Sequence, residues 1–262
     1  MIPRAYITEW RNVAPWSSDA QVEQDLIISR MLVELFSNRK IADSLVFRGG
    51  TALYKLFAEK PARYSEDIDL VQSNSAPIGD VMTEIRNVCE SMLQPDGHEQ
   101  KKNSVRLYYK TESEIPPIIP IKIKIEINTR EHFGVYDINH KKYESNSRWH
   151  SGVIDIPTYC IEELLGTKLR ALYQRNKGRD LFDLWYAIKN YELDFDKIVN
   201  SFKKYIEYQG VKISSKEYIQ NLDAKMNDSQ FIHDIDNLIH PEIKYSAYEG
   251  YESVMSKIIG FI

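Results

Sequence analysis

The sequence predicts an α+β protein in which a mixed β-sheet flanked by helices precedes a C-terminal helical lobe. Residues 46–71 read as a strand, a glycine turn, a helix, a polar loop and a second strand. Residues 121–128, IKIKIEIN, place isoleucines on one face of a strand and polar residues on the other. After this region apolar residues recur at helical spacing, so we predict a first lobe of residues 1–157 and a helical lobe of residues 158–262.

The other elements of the first lobe follow from periodicity and turn residues. We expect an irregular lead-in over residues 1–19 and an amphipathic helix over residues 19–38. A second amphipathic helix begins after Pro77 and ends before residues 95–97, Pro-Asp-Gly, which read as a turn. Alternation and turn residues predict three later segments: a strand over 105–110, an irregular or hairpin connection over 130–151 and a strand over 153–156.

The composition is that of a soluble globular protein. The 262 residues are 43% hydrophobic and 27% charged, enough to bury a substantial core. The chain has no apolar run of membrane-spanning length, and its first residues lack the pattern of a signal peptide. We therefore expect a cytoplasmic protein without membrane contact, in which Cys89 and Cys160 are reduced thiols.

Charge is distributed unevenly along the chain. The formal net charge is −4, yet residues 101–180 contain 15 Lys and Arg against 10 Asp and Glu. This basic segment could attract a polyanion, or its charges could be scattered over a solvated surface, and the sequence leaves both interpretations open.

The glycine turn and the strand after it carry the strongest functional signal. Gly49 and Gly50 allow a close approach of the backbone to a ligand, and the helix that follows directs its first N–H groups toward an anion such as a triphosphate. Asp67 and Asp69 alternate with apolar residues, so they project from one face of a strand. Paired carboxylates beside a phosphate site are typical of a divalent cation and of phosphoryl or nucleotidyl transfer. A plain turn beside a solvated strand is the structural alternative.

These residues carry a resemblance. A Gly-Gly-Thr turn followed by Asp-X-Asp resembles the hallmark of the polymerase-β-like nucleotidyltransferase superfamily, whose fold the chain is then expected to share. The wider pattern, spread over residues 21–185, resembles the AbiEii/AbiGii nucleotidyltransferase toxin family. In the focal segment the resemblance rests on Phe47, Gly49, Gly50, Thr51, Ala52, Leu53, Arg63, Ser65, Asp67, Ile68, Asp69 and Leu70.

The resemblance implies roles for particular residues. Asp67, Asp69 and Glu126 are the expected ligands of magnesium or manganese, although a solvated strand face also explains Glu126. Glu126 stands where the family often has Asp, and it is also the expected acceptor of the proton from the acceptor hydroxyl. The expected nucleotide-binding residues are Gly49, Gly50, Thr51, Arg63, Ser65 and Lys168.

The helical lobe contains a second set of matching residues. Thr158 is a candidate cap for a helix whose apolar stripe includes Lys168, a position where lysine either reaches the surface or meets an anion. The family pattern implies that Lys168 and Asp180 contribute to the cleft, where Asp180 positions Lys168 or assists deprotonation. Asp183 is expected to be structural.

The resemblance also implies an activity. A toxin of a toxin–antitoxin or phage-defence system would transfer a nucleoside monophosphate from a nucleoside triphosphate to RNA, with the 3′ end of transfer RNA among the candidate acceptors, and release pyrophosphate. A cognate antitoxin is the expected partner. The alternatives are transfer to a protein side chain or a small molecule, and a non-catalytic nucleotide-binding module.

Overall fold

The computed structural model describes residues 2–262, and this part of the chain divides into two compact units. The first unit comprises the described residues up to Gly134 together with Ile138–Thr158. The second comprises Val135–Asp137 and Tyr159–Ile262. The predicted α+β class is confirmed, because the first unit contains a mixed sheet with helices and the second is helical.

Within the described residues, the sheet of the first unit has seven strands in the order β3-β4-β5-β2-β1-β7-β6. The pairs β1/β7 and β2/β5 are parallel and the other pairs are antiparallel. The strands are β1 Leu45–Arg48, β2 Asp67–Gln72, β3 Gln94–Gln100, β4 Ser104–Glu112, β5 Pro120–Asn128, β6 Asn139–Asn146 and β7 Ser151–Thr158. The helices of this unit are α1 Arg4–Trp10, α2 Asp19–Ser37, α3 Arg39–Ser44, α4 Gly49–Leu56 and α5 Gly79–Glu90.

Alternation along the strands sets the core of this unit, as the sequence predicted. On β2, Ile68 and Leu70 are buried while Asp67 and Asp69 are half-buried on the opposite face. On β5 the isoleucines 121, 123, 125 and 127 are all buried. Helix α2, whose first turn is closed by a capping box between Ser18 and Gln21, packs against β5, β6 and β7. The polar faces of β2 and β5 therefore lie next to each other, away from the apolar core.

Three local predictions were wrong. The lead-in forms α1, since Trp10 is buried and its indole N–H donates to Asp25 Oδ1 at 2.9 Å. Residues 95–97 lie inside β3, an exposed outer strand that pairs with β4 through its backbone and so needs no apolar alternation. Thr158 does not cap the next helix, because its hydroxyl donates to the Phe47 carbonyl at 2.7 Å.

The second unit has its own apolar core. It is built on α6 Ile161–Gln174, α7 Gly178–Asn190, α8 Phe195–Tyr208, α9 Ser215–Met226, α10 Ser229–His233, α11 Ala247–Lys257 and a short 3-10 helix, Ile259–Phe261. Large buried side chains such as Leu169, Phe202 and Tyr218 fill its centre.

Two expectations from composition can be compared with the described residues. Cys89 and Cys160 are free thiols, as expected. Over residues 2–262, none of the helices combines the length and the apolar character that crossing a bilayer requires.

Candidate active site

The glycine turn lies against the carboxylate of Asp69. Gly49 begins α4 with φ +84°, a left-handed conformation that favours glycine. A Cβ atom at this position would collide with Asp69 Oδ2. The antiparallel register of β1 and β2 pairs Arg48 with Asp69, which brings the start of α4 beside the acid. Gly49 and Asp69 are twenty residues apart in sequence, and the pairing of β1 with β2 brings them together.

Gly50 lies against a different side chain. A Cβ atom there would collide with Arg63 Nη2. The Arg63 guanidinium is buried, donates from Nη1 to the Tyr64 carbonyl at 2.9 Å, and lies over the ring of Tyr54 at 5.3 Å from its centre. The Arg63 guanidinium therefore packs against the glycine turn. Its contact with phosphate stays a prediction.

Thr51 and Ser65 connect the helix to the acidic strand. Thr51 is buried, and its Oγ1 lies 2.5 Å from the Asp67 carbonyl and 2.9 Å from Ser65 Oγ. Since a hydroxyl has one proton, Thr51 can donate to the carbonyl and accept from Ser65. Both hydroxyls therefore fix the start of β2 relative to α4, and direct phosphate contacts by either residue stay a prediction.

Across the β2/β5 pairing, each aspartate faces a charged residue of β5. The parallel register places Asp67 opposite Lys124 and Asp69 opposite Glu126. Lys124 Nζ lies 2.9 Å from Asp67 Oδ2 and 3.3 Å from Glu126 Oε2. The three predicted acids thus lie on neighbouring strands, with a lysine among them.

Glu126 forms ion pairs with two basic side chains. Arg106 on β4 donates from Nη2 to Glu126 Oε1 at 2.8 Å, and Lys124 approaches the other carboxylate oxygen. Partial burial raises the pKa of Glu126, but the Arg106 and Lys124 interactions outweigh burial and leave the pKa below its ordinary value. Glu126 is therefore ionised at neutral pH.

The donor chemistry fits a divalent cation held by two aspartates. Asp67 and Asp69 present hard carboxylate oxygens from one face of β2, and magnesium is commonly bound by one or two carboxylates together with substrate phosphates. Within residues 2–262 no group of three His, Cys, Asp or Glu side chains is arranged to hold a metal ion by itself. The ligand role of Glu126, which is ion-paired, stays a prediction.

In the second unit, Lys168 lies in a buried ion cluster. Its Nζ is 3.3 Å from Asp180 Oδ1 and 2.9 Å from Asp183 Oδ2, and all three side chains are nearly or fully buried. Arg175 binds Asp180 through two contacts, from Nε at 2.5 Å and from Nη2 at 2.7 Å. The cluster holds Lys168 in place on α6 through residues of α7.

Burial alone would raise the pKa of Asp180. The charges of Lys168 and Arg175 and the hydrogen bonds from Arg175 outweigh this effect, so the pKa lies below its ordinary value. Asp180 is ionised at neutral pH, as its predicted role in positioning Lys168 requires.

One residue of these clusters was missed from the sequence. Arg106, on the alternating segment that became β4, received no role, although its position predicted a side chain on the polar face. The sequence assigned Asp183 to structure, and its ion pair with Lys168 is shorter than that of Asp180. Its spacing of three residues from Asp180 on a helix was the available signal.

Comparisons with known proteins identify the family of the chain. The model of the family described as "Nucleotidyl transferase AbiEii toxin, Type IV TA system" matches residues 30–249. A search of curated protein sequences found no significant match.

Solved structures share the fold. The chain is similar to the MenT4 nucleotidyltransferase toxin of Mycobacterium tuberculosis, with 15% identity, a TM-score of 0.67 and coverage of 99% of this chain and 89% of that one. It is also similar to JHP933 of Helicobacter pylori, with 18% identity, a TM-score of 0.55 and coverage of 93% of each chain.

The family match extends over most of the chain, and the glycine turn, the aspartate pair and the Lys168 cluster all lie within the matched residues. The chain therefore belongs to the AbiEii family of nucleotidyltransferase toxins from type IV toxin–antitoxin systems.

Proposed function

We propose that this nucleotidyltransferase transfers a nucleoside monophosphate from a nucleoside triphosphate to an RNA hydroxyl, with the 3′ end of transfer RNA as the first acceptor to test. The observation that supports the proposal is the contact between the Gly49 turn and Asp69, with Asp67 on the same strand face. This contact joins a site suited to phosphate with carboxylates suited to a cation.

Asp67 and Asp69 are the proposed ligands of a magnesium or manganese ion, with Glu126 as a further candidate. When bound, such an ion supplies charge neutralisation and a template for the triphosphate and the acceptor. The turn at Gly49 and Gly50 and the first N–H groups of α4 bind the β and γ phosphates. Thr51 and Ser65 hold this turn against β2.

The proposed reaction is an in-line displacement. The acceptor oxygen forms a bond to the α phosphorus, the bond from that phosphorus to the bridging oxygen breaks, and pyrophosphate leaves. Glu126 is proposed to accept a hydrogen bond from the acceptor hydroxyl and to take up its proton as the new bond forms. Lys168 is proposed to add positive charge that favours triphosphate binding, and Asp180 to position Lys168.

The acceptor is tested by labelling. Purified protein is incubated with magnesium and nucleoside triphosphates labelled at the α phosphate, together with either total RNA or total cell protein. The proposal predicts label on RNA with α-labelled substrate and none with γ-labelled substrate, since the γ phosphate leaves in pyrophosphate. Label on protein would redirect the activity to a side-chain acceptor, and label on neither macromolecule would contradict the RNA proposal.

The biological role is proposed to be growth arrest countered by a cognate antitoxin. The support for this role is the toxin–antitoxin description of the family. Expression of the chain alone should stop growth, and co-expression of the antitoxin encoded beside it should restore growth. Arrest that persists with that antitoxin present would contradict the pairing.

A further inference from the structure

Lys124 places a positive charge among the acids of the candidate active site. Its Nζ lies 2.9 Å from Asp67 Oδ2 and 3.3 Å from Glu126 Oε2, and its side chain is 28% exposed. Because Lys124 faces Asp67 directly in the parallel register, the strand pairing places the lysine side chain beside this acid. One lysine therefore bridges two of the three acids.

A divalent cation on Asp67 would compete with this ammonium group. Both positive groups seek the same carboxylate oxygens, and like charges at such short separation repel each other. Lys124 contacts Oδ2 of Asp67, so a cation that binds this oxygen meets the ammonium group directly. Binding of a cation through Asp67 Oδ2 therefore requires Lys124 to move away from that oxygen.

Arg106 makes the departure of Lys124 feasible. It donates to Glu126 Oε1 at 2.8 Å, on the carboxylate oxygen that Lys124 does not contact. Glu126 therefore keeps a cationic partner when Lys124 moves away. The Lys124 side chain is also partly exposed and flexible, so movement of its ammonium group needs no change of the backbone.

We propose that Lys124 is an internal counter-ion of the cation site, which holds Asp67 in the metal-free protein and lowers the affinity of that protein for a divalent cation. This inference rests on the proposed function, in which Asp67 and Asp69 bind the cation. Its consequence is ordered binding: the cation enters together with a triphosphate, whose oxygens add ligands for the cation and whose charge attracts the displaced ammonium group. Lys124 is a positioning residue in this account.

The test measures Mn²⁺ binding without nucleotide by electron paramagnetic resonance. The variants are Lys124→Met, Lys124→Gln and the control Lys122→Met. Lys122 lies on the same strand and face, its side chain is 70% exposed, and its ion pair is to Asp96 at 3.7 Å. We expect the Kd of Mn²⁺ to fall about tenfold in both Lys124 variants and to change less than about twofold in the control, because Lys124 is paired with the proposed ligand Asp67 whereas Lys122 is paired with Asp96.

A second readout follows thermal unfolding. Without Lys124 the neighbouring carboxylates lose a shared partner, so the melting temperature in EDTA should fall in the Lys124 variants and rise more on Mn²⁺ addition than in wild type. This readout does not depend on activity.

The outcomes separate the two proposals. Unchanged Mn²⁺ affinity in both Lys124 variants, with RNA labelling intact in wild type, would overturn the counter-ion role and leave the proposed function standing. No Mn²⁺ binding by any variant, with or without ATP, would overturn the proposed cation site and the counter-ion role together.

Discussion

At the scale of single residues, Gly49 has both a backbone and a steric reason to be glycine. Its φ of +84° is unfavourable for alanine, and a Cβ atom would collide with Asp69 Oδ2. Gly210 has a similar φ of +76°, but a Cβ atom there would meet nothing within 4 Å. Alanine substitutions at the two positions therefore distinguish the cost of backbone strain from the effect of displacing Asp69.

Gly49→Ala should lower both stability and transferase activity. For Gly210→Ala we expect a loss of about 1–2 kcal/mol in the free energy of unfolding, from the backbone alone, with activity retained. For Gly49→Ala we expect a larger loss and a fall in kcat/KM of about 100-fold or more, because Asp69 must move. Urea unfolding and nucleotide transfer measure the two effects, and equal behaviour of both variants would refute the role of the Asp69 contact.

At the scale of elements, Thr51 joins α4 to β2 through its hydrogen bond to the Asp67 carbonyl. Thr51→Val removes the donor, so the Asp67 carbonyl loses this hydrogen bond, which should cost about 1–3 kcal/mol. Thr51→Ser restores the hydroxyl and should recover most of the stability and activity. Chemical unfolding and kcat report the result; failure of serine to recover more than valine would show that the hydroxyl is unimportant.

Helices α6 and α7 are joined by the buried cluster of Lys168, Arg175, Asp180 and Asp183. Lys168→Met leaves buried carboxylates with less compensating charge, so we expect a loss of about 3–5 kcal/mol at pH 7. Urea unfolding measures this loss. A loss below about 1 kcal/mol would show that the lysine contributes little to stability, as an exposed ion pair does.

The same cluster predicts a pH dependence. Because the pKa of Asp180 is lowered by folding, ionised Asp180 stabilises the fold above its ordinary pKa, and this contribution disappears as the pH falls through the lowered value. The stability of the wild type should therefore fall as the pH drops below about 5. The stability of Asp180→Asn should depend less steeply on pH over the same range. Unfolding free energies measured from pH 7 downward test this, and parallel curves would contradict it.

At the scale of the whole molecule, strong alternation and the glycine turn made most of the nucleotidyltransferase sheet predictable. The alternating apolar residues of β2 and β5 specified the buried faces of these strands. The order of strand, glycine turn, helix and strand predicted that Asp69 lies beside the turn. The edge strand β3 was not predictable, because its residues are stabilised by backbone pairing with β4 rather than by burial. The ion pairs of Lys124 and Asp183 depend on strand register and helix packing, which the sequence does not state.

The proposed growth arrest is expected to depend on catalysis, a consequence at the scale of the whole molecule. Expression of wild type should stop growth, whereas Asp69→Asn at the same protein level should not, because the proposed cation loses a charged ligand. Growth curves with immunoblots measure this difference. Equal arrest by both proteins would show that toxicity does not come from nucleotidyl transfer.

The central claim is that the acids beside the Gly49 turn perform the transfer, and the most direct measurement is the rate of label transfer from an α-labelled triphosphate to RNA. Asp69→Asn is compared with Asp155→Asn, a control at an exposed aspartate of β7 in the same sheet. The account predicts a fall of about 1,000-fold or more for Asp69→Asn with a fold that stays intact, and an unchanged rate for Asp155→Asn. A wild-type rate in folded Asp69→Asn protein would contradict it.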